Sequence, residues 1–123
     1  SPKVIIRNNA LINALTGDSF EKSRDDYAWW GRLIENAVGS HLLTHFQDLP
    51  TSIYYWRERD REVDYVIKTP QKTLALEVKS GRSDNPKGLS AFCRSFPNAS
   101  PVIIGPQGID FGEFFRNDPK DLL

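Results

Sequence analysis

The stretch from Trp56 to Ser80 constrains the fold most, because it reads as two consecutive strands with charged side chains among the apolar ones. In its first half, every second residue is apolar or aromatic: Val63, Tyr65 and Ile67. Its second half repeats the pattern: Leu74, Leu76 and Val78. Because successive strand side chains point to opposite faces, this period of two predicts two half-buried core strands.

Three charged residues of this stretch are predicted to converge at one end of a sheet. Glu77 and Lys79 share a face by alternation, and hairpin pairing of the two strands would set Asp64 beside Glu77. Two neighbouring carboxylates repel unless a cation lies between them, and oxygen ligands suit Mg²⁺. Lys79 could hold a water or a phosphate oxygen next to that ion. The alternative is a solvated hairpin with ordinary surface ion pairs, but the apolar opposite face favours core strands.

Length and composition indicate one globular domain with a core of its own. The chain has 123 residues, of which 39% are hydrophobic and 26% charged. It contains no apolar run near the ~20 residues that span a bilayer, and no signal peptide. A single cysteine gives no disulfide framework, so we expect a cytoplasmic setting. The chain begins at Ser1 and lacks methionine, which predicts a piece of a longer protein.

The charge distribution gives a weak indication of a phosphate-containing partner. The formal net charge is zero, which argues against a strongly basic nucleic-acid binder. Residues 57–94 nevertheless carry 9 basic and 6 acidic side chains, a modest local bias toward phosphate. Charge alternation at a hairpin turn explains this bias equally well.

A long amphipathic helix is predicted over residues 25–47, ending before Pro50. Its apolar positions follow helical spacing: Trp30, Leu33, Ile34, Ala37, Val38, His41 and Leu42. Glu35 lies at the border of this stripe, between Gly31 and Gly39, which leave its carboxylate room to reach a sheet end. A boundary glutamate that faces water is the alternative.

The remaining segments complete an α/β pattern with a mixed central sheet flanked by helices, in the order helix, three strands, helix, strand. Capping, turn and apolar signals predict the other elements. Before the main helix they are an edge strand at 3–7 and a helix at 10–15; after it they are a strand at 51–57, a tight turn at 58–61, a loop at 81–85, a strand at 101–105 and a last strand or turn at 109–115. A second helix is predicted from Pro86 or Lys87 through Phe96, with an apolar stripe of Leu89, Phe92, Cys93 and Phe96.

Other candidate sites have weaker support. His41 and His45 have the spacing of a zinc-binding pair, but His41 lies on the apolar stripe and no third ligand is evident. Cys93 lies on a helical apolar stripe, which favours packing. There is no Gly-rich phosphate loop, so we expect no ATPase activity from this chain itself.

A helix glutamate, an aspartate on one strand and Glu-x-Lys on the next form a layout that resembles the PD-(D/E)xK nuclease superfamily. Here these residues are Glu35, Asp64, Glu77 and Lys79. The chain resembles one branch of this superfamily in particular. In that branch, a nuclease-like C-terminal domain of unknown function follows the P-loop ATPase and winged-helix domains of prokaryotic AAA-type ATPases. The resemblance covers about residues 2–105 and rests on these motifs: Gly31 with Leu33-Ile34-Glu35-Asn36-Ala37-Val38, Tyr55-Trp56-Arg57, Glu62-Val63-Asp64-Tyr65, Glu77-Val78-Lys79-Ser80-Gly81, Pro2-Lys3 and Phe96-Pro97-Asn98-Ala99. It departs at Asn8-Asn9-Ala10, where Asp-x-Gly is expected.

The resemblance implies a restriction-endonuclease-like core that forms a single domain over residues 1–123, C-terminal to the ATPase and winged-helix domains of the parent chain. It implies that Mg²⁺ or Mn²⁺ is held by Asp64, Glu77 and the Val78 carbonyl, with Glu35 supporting the metal or its water. Lys79 would orient the attacking water. The implied reaction is metal-dependent phosphodiester cleavage of DNA.

Two further hypotheses stand beside the nuclease. The first is a catalytically idle module of the same fold that binds nucleic acid or a protein partner for the attached ATPase. The second is a purely structural domain, in which the clustering of acids and lysine is coincidental. The motifs do not choose between DNA and RNA, and they leave the oligomeric state open.

Overall fold

The computed structural model describes residues 27–79 and 87–123, which form a four-stranded mixed sheet and three α-helices. The elements are α1 Tyr27–Phe46, β1 Ser52–Glu58, β2 Arg61–Lys68, β3 Thr73–Val78, α2 Lys87–Ser95, β4 Ala99–Ile104, α3 Phe111–Arg116 and a 3₁₀ helix Pro119–Leu122. The predicted strand at 3–7, the helix at 10–15, the first residues of the main helix and the loop at 81–85 lie outside the described residues.

The strands are ordered β1-β2-β3-β4 across the sheet. The first three form an antiparallel meander, whereas β4 pairs parallel to β3. A parallel neighbour requires a crossover connection, and α2 lies in that connection. The predicted α/β class, the mixed sheet and the order helix, three strands, helix, strand are confirmed.

Each face of the sheet carries its own apolar core. On one face, Val38, Leu42 and Phe46 of α1 and Phe114 of α3 form a core with strand residues Tyr65, Ile67, Leu74, Leu76 and Ile104. On the other face, Leu89 and Phe92 of α2 form a core with strand residues Val63, Val66, Ala75 and Ala99. β2 and β3 are the central strands of the sheet, and both carry buried side chains on both faces.

A β-bulge in β2 breaks the predicted alternation. The register runs from Tyr54 opposite Val66 to Trp56 opposite Val63, so β2 contains one more residue than β1 over this interval. Val63 therefore packs on the α2 face, while Tyr65 packs on the α1 face. The prediction that Val63 shares a face with Tyr65 and Ile67 is wrong for this reason.

Two further predictions fail near the C-terminus. The segment predicted as a last strand or turn, 109–115, contains the helix α3, whose N-cap Asp110 accepts a hydrogen bond from the Glu113 backbone N–H. Phe96, expected on the apolar stripe of α2, follows the end of that helix and is 49% exposed.

Within residues 27–79 and 87–123, no helix combines the length and apolar character needed to cross a membrane.

Candidate functional site

Glu77 and Lys79 form an ion pair at the end of β3. The Nζ atom of Lys79 lies 3.1 Å from Oε1 of Glu77, and their side chains are 29% and 11% exposed. The pair forms because residues two apart on a strand share a face, as the alternation predicts. The ion pair holds one carboxylate oxygen of Glu77 in a largely water-excluded position.

The second carboxylate oxygen of Glu77, Oε2, is buried as well. Among the described residues, Oε2 of Glu77 accepts no hydrogen bond. Glu77 is also the one charged residue in the buried set of that part of the chain, at 9% exposure. An unsatisfied buried carboxylate oxygen is costly and rare in folded proteins. A cation or a bound water at Oε2 would remove this cost.

Asp64 reaches the end of β3 from the bulge in β2. Its Oδ2 atom accepts a hydrogen bond of 2.8 Å from the backbone N–H of Val78. Val78 lies between Glu77 and Lys79 in the sequence. The half-buried Asp64 carboxylate is thus anchored next to the ion pair, so the structure brings these predicted site residues to one sheet end.

Glu35 is connected to β2 through its backbone carbonyl. The Tyr65 hydroxyl donates a hydrogen bond of 2.8 Å to the Glu35 carbonyl oxygen, which attaches α1 to β2 one residue from Asp64. Burial raises the pKa of Tyr65 well above its usual value, and the nearby carboxylates of Glu35 and Asp64 raise it further. A backbone hydrogen bond with Gly39 opposes this rise. Glu35 itself is half-buried.

Sequence reasoning missed the role of Tyr65, which it treated only as an apolar position. The signal was present, because a tyrosine in a buried strand needs a hydrogen-bond partner for its hydroxyl. We name Asp64, Glu77 and Lys79 the carboxylate–lysine cluster; the structure ties Glu35 to β2 through its backbone carbonyl, on the α1 face of the sheet.

Lys79 is also positioned through its backbone. Its N–H donates to the Ile104 carbonyl at 2.9 Å. Gly105, the residue after β4, has a φ angle of 144°, and a Cβ atom there would overlap the Lys79 carbonyl oxygen. The end of β4 therefore fits against Lys79 only because position 105 lacks a side chain.

The carboxylates of the cluster are not grouped as a ready-made metal centre. In the described ranges 27–79 and 87–123, no group of three or more His, Cys, Asp or Glu side chains is placed to hold a metal ion. The side chains of Asp64 and Glu77 are instead engaged with the Val78 N–H and the Lys79 ammonium. A cation at Oε2 of Glu77 would leave the contact of Oε1 with Lys79 in place.

His41, His45 and Cys93 make contacts that hold elements of the fold together. His41 Nε2 lies 2.9 Å from the Asn117 carbonyl oxygen, and His45 Nδ1 lies 3.6 Å from Oδ1 of Asp118. These contacts connect α1 to the segment after α3. Burial raises the pKa of Cys93, which agrees with a packing role.

The comparisons with known proteins give one match. A family model described as "Domain of unknown function (DUF4143)" matches residues 30–111, a span from α1 to the first residue of α3 that includes the four predicted site residues, Glu35, Asp64, Glu77 and Lys79. The chain belongs to this family. Searches of the curated proteins and of the solved structures found no match.

Proposed function

We propose that this DUF4143 family member is a metal-dependent phosphodiesterase of the PD-(D/E)xK nuclease type that acts on DNA. One observation carries the proposal, the buried Glu77 carboxylate with Oε1 on Lys79 and Oε2 without a partner among the described residues. A purely structural ion pair would leave that oxygen unsatisfied at a cost, whereas a catalytic carboxylate needs it for a ligand.

The donor set fits a hard divalent cation. Asp64, Glu77 and the Val78 carbonyl would hold Mg²⁺ or Mn²⁺, and Glu35 would support the metal or its water, since all four supply oxygen ligands. The unsatisfied Oε2 of Glu77 supports this assignment. When bound, the metal would polarise a phosphoryl oxygen and lower the pKa of a coordinated water.

The residues of the chain prepare this chemistry by position. Lys79, whose Nζ lies 3.1 Å from Oε1 of Glu77, would hold a water or a phosphate oxygen beside that carboxylate. The Val78 N–H keeps Asp64 aimed at the end of β3, and the Tyr65 hydroxyl keeps α1 against β2. A mixed sheet with helices on both faces and acids at one end supports a restriction-endonuclease-like core.

The proposal includes the resemblance to the C-terminal domains of AAA-type ATPases. In that setting, ATPase and winged-helix domains of the parent chain would deliver DNA to this domain. The support is the motif set around Glu35, Asp64 and Glu77, which the family match spans.

A catalytically idle module is the second candidate function, and a specific observation favours it. Lys79 already neutralises Glu77, and the described residues contain no three-ligand metal group. In this alternative, the same fold binds nucleic acid or a protein partner for the attached ATPase without cleaving DNA.

Calorimetric titration with Mn²⁺ and Mg²⁺ tests the proposal, combined with nicking of supercoiled plasmid DNA in the same buffers. The variants are Glu77→Gln and the matched control Glu113→Gln, which removes an exposed carboxylate on α3. We expect the parent and Glu113→Gln to bind metal and nick DNA. Glu77→Gln should lose both properties because its amide is a poor metal ligand.

The outcomes separate the two candidate functions. Metal binding that depends on Glu77 without any nicking would favour the idle module. Equal metal binding and nicking by Glu77→Gln and the parent would contradict the proposed site. Circular dichroism melts of each variant show whether a loss reflects unfolding.

A further inference from the structure

A polar pocket of about 310 Å³ lies between the β1–β2 turn and the C-terminal half of α2. Three arginines line it, Arg59 and Arg61 from the turn region and Arg94 from the last turn of α2. Trp56, Glu58 and Asp60 contribute to the same lining. We name this the arginine pocket.

The cations of the arginine pocket are available for a ligand. In the part of the chain that the structure describes, Arg59, Arg61 and Arg94 form no salt bridge, although two carboxylates line the same pocket. All three arginines are exposed. Arg59 takes a left-handed φ of 59° in the turn, which fixes where its side chain leaves the backbone. Three uncommitted guanidinium groups around one polar cavity favour an anion with several oxygens, such as a phosphate.

A row of aromatic rings leads from the pocket to the surface. The ring of Trp56 lies 5.3 Å from that of Phe92, and Phe92 lies 4.7 Å from Phe96. Phe96 directly follows Ser95, which lines the pocket, and it is 49% exposed. An exposed ring beside cations is typical of surfaces that bind single strands, on which bases stack while the backbone follows the charge.

We propose that the arginine pocket and Phe96 bind a single-stranded segment of DNA. The guanidinium groups contact backbone phosphates, and the Phe96 ring stacks on an unpaired base, whose faces a duplex would cover. The pocket adjoins the carboxylate–lysine cluster, since Arg61 and Asp64 are three residues apart on β2, about 10 Å along a strand. The assignment of this strand as the substrate rests on the proposed function, whereas the binding itself needs no metal.

Fluorescence anisotropy in EDTA, with a labelled single-stranded DNA of about 15 nucleotides, tests the proposal without cleavage. The variants are the double substitution Arg61→Gln/Arg94→Gln and the single substitution Phe96→Ala. Arg116→Gln is the matched control, an exposed arginine in the last turn of α3 that does not line the pocket. Circular dichroism melts accompany each variant.

We expect the double variant to bind about 10-fold more weakly or worse, with the slope of log K against log salt smaller by about 0.7 per lost phosphate contact. Phe96→Ala should weaken binding about 5-fold or more through lost stacking. Arg116→Gln should bind like the parent. If Arg116→Gln lost as much affinity for the single strand as the double variant, the arginine pocket would not be the binding site. Tighter binding of the matching duplex would contradict the single-strand assignment.

The measurement separates this inference from the proposed nuclease activity. Arginine-dependent binding in EDTA, without cleavage of either the plasmid or the single-stranded DNA in Mn²⁺, supports the pocket and contradicts the nuclease. Nicking that depends on Glu77, with strand binding insensitive to Arg61 and Arg94, supports the nuclease and contradicts the pocket.

Discussion

The Asp64 carboxylate accepts a hydrogen bond from the backbone N–H of Val78, and this 2.8 Å contact connects the bulge of β2 to the end of β3. The bulge inserts an extra residue into β2 between Val63 and Val66, so the ladder to β1 is locally interrupted. The side chain of Asp64 supplies an acceptor for β3 at this level. A carboxylate proposed as a metal ligand therefore also contributes to the stability of the sheet.

The first prediction separates these two roles of Asp64. Asp64→Ala should lower the free energy of unfolding by about 1–3 kcal/mol in metal-free buffer, because the part-buried Val78 N–H loses its acceptor. Asp64→Asn keeps an acceptor oxygen and relieves repulsion among carboxylates, so it should stay within about 1 kcal/mol of the parent. Urea unfolding in EDTA measures both values.

Adding Mn²⁺ to the same proteins tests the metal role. Only the parent should gain stability, since a ligand that binds the native state alone stabilises it by mass action. A large loss of stability in Asp64→Asn without metal would contradict this view and would mean that the charge itself is structural.

The second prediction concerns the coupling between Lys79 and Glu77. Lys79→Ala should destabilise the fold by about 1–3 kcal/mol, because it leaves a buried carboxylate without its counter-charge. Glu77→Gln should cost less, since Lys79 is more exposed and can reach water. The double variant should be more stable than the sum of the single effects predicts, by about 1 kcal/mol. Additive effects in chemical unfolding would indicate that the pair is not coupled.

Much of the sheet could be predicted because its residues carry strong local signals. The alternation in β3 sets Glu77 and Lys79 on one face, and the ion pair confirms it. The bulge at Asp64 has no such signal, because one extra residue in a ladder depends on how β1 pairs with β2. The alternation therefore predicts Asp64 near Glu77, but it does not predict the hydrogen bond from the Val78 N–H to the Asp64 carboxylate.

The sequence contains the signals of helix α3, although its apolar run also resembles a strand. The apolar run of 109–115 suggested a strand, yet Phe111, Phe114 and Phe115 have the i, i+3, i+4 spacing of a helix face. Asp110 before this run is a typical N-cap. The arginine pocket could not be predicted from the sequence, because Arg94 lines the same pocket as Arg59 and Arg61 only when α2 packs on the sheet.

The third prediction concerns the dependence of stability on alkaline pH. The raised pKa of Tyr65 means that the folded protein keeps the phenol proton after the unfolded chain, with a usual pKa of about 10, has lost it. The unfolded state then binds fewer protons, so stability from Tyr65 is full below pH ~10 and is lost as pH rises toward the folded pKa. Tyr65→Phe has no phenol proton to lose, so its free energy of unfolding should fall less steeply above pH ~10 than that of the parent.

Unfolding curves of the parent and Tyr65→Phe at several pH values measure the difference. At neutral pH the variant should be less stable by about 1 kcal/mol, because the hydrogen bond to the Glu35 carbonyl is lost. This deficit should shrink at alkaline pH. Tyr54→Phe is the control, since Tyr54 is 43% exposed and should leave the curve unchanged. A deficit that stays constant with pH would contradict the prediction.

The last prediction uses two glycines that differ in what an added methyl group would meet. Gly105→Ala should cost about 2 kcal/mol or more, because position 105 has a φ of 144° and its Cβ would overlap the Lys79 carbonyl oxygen. Since that contact positions Lys79, the variant should also weaken Mn²⁺-dependent nicking if the nuclease proposal holds. Gly112→Ala is the control, whose Cβ would lie 3.0 Å from the flexible end of Arg116 and 3.0 Å from Oδ2 of Asp110, the oxygen that caps α3. It lies within α3, where the gain in helix propensity offsets a small shift of the cap, so it should stay within about 1 kcal/mol of the parent. Thermal and urea unfolding of both variants measure the contrast, and equal stabilities would show that β4 does not need a glycine to approach Lys79.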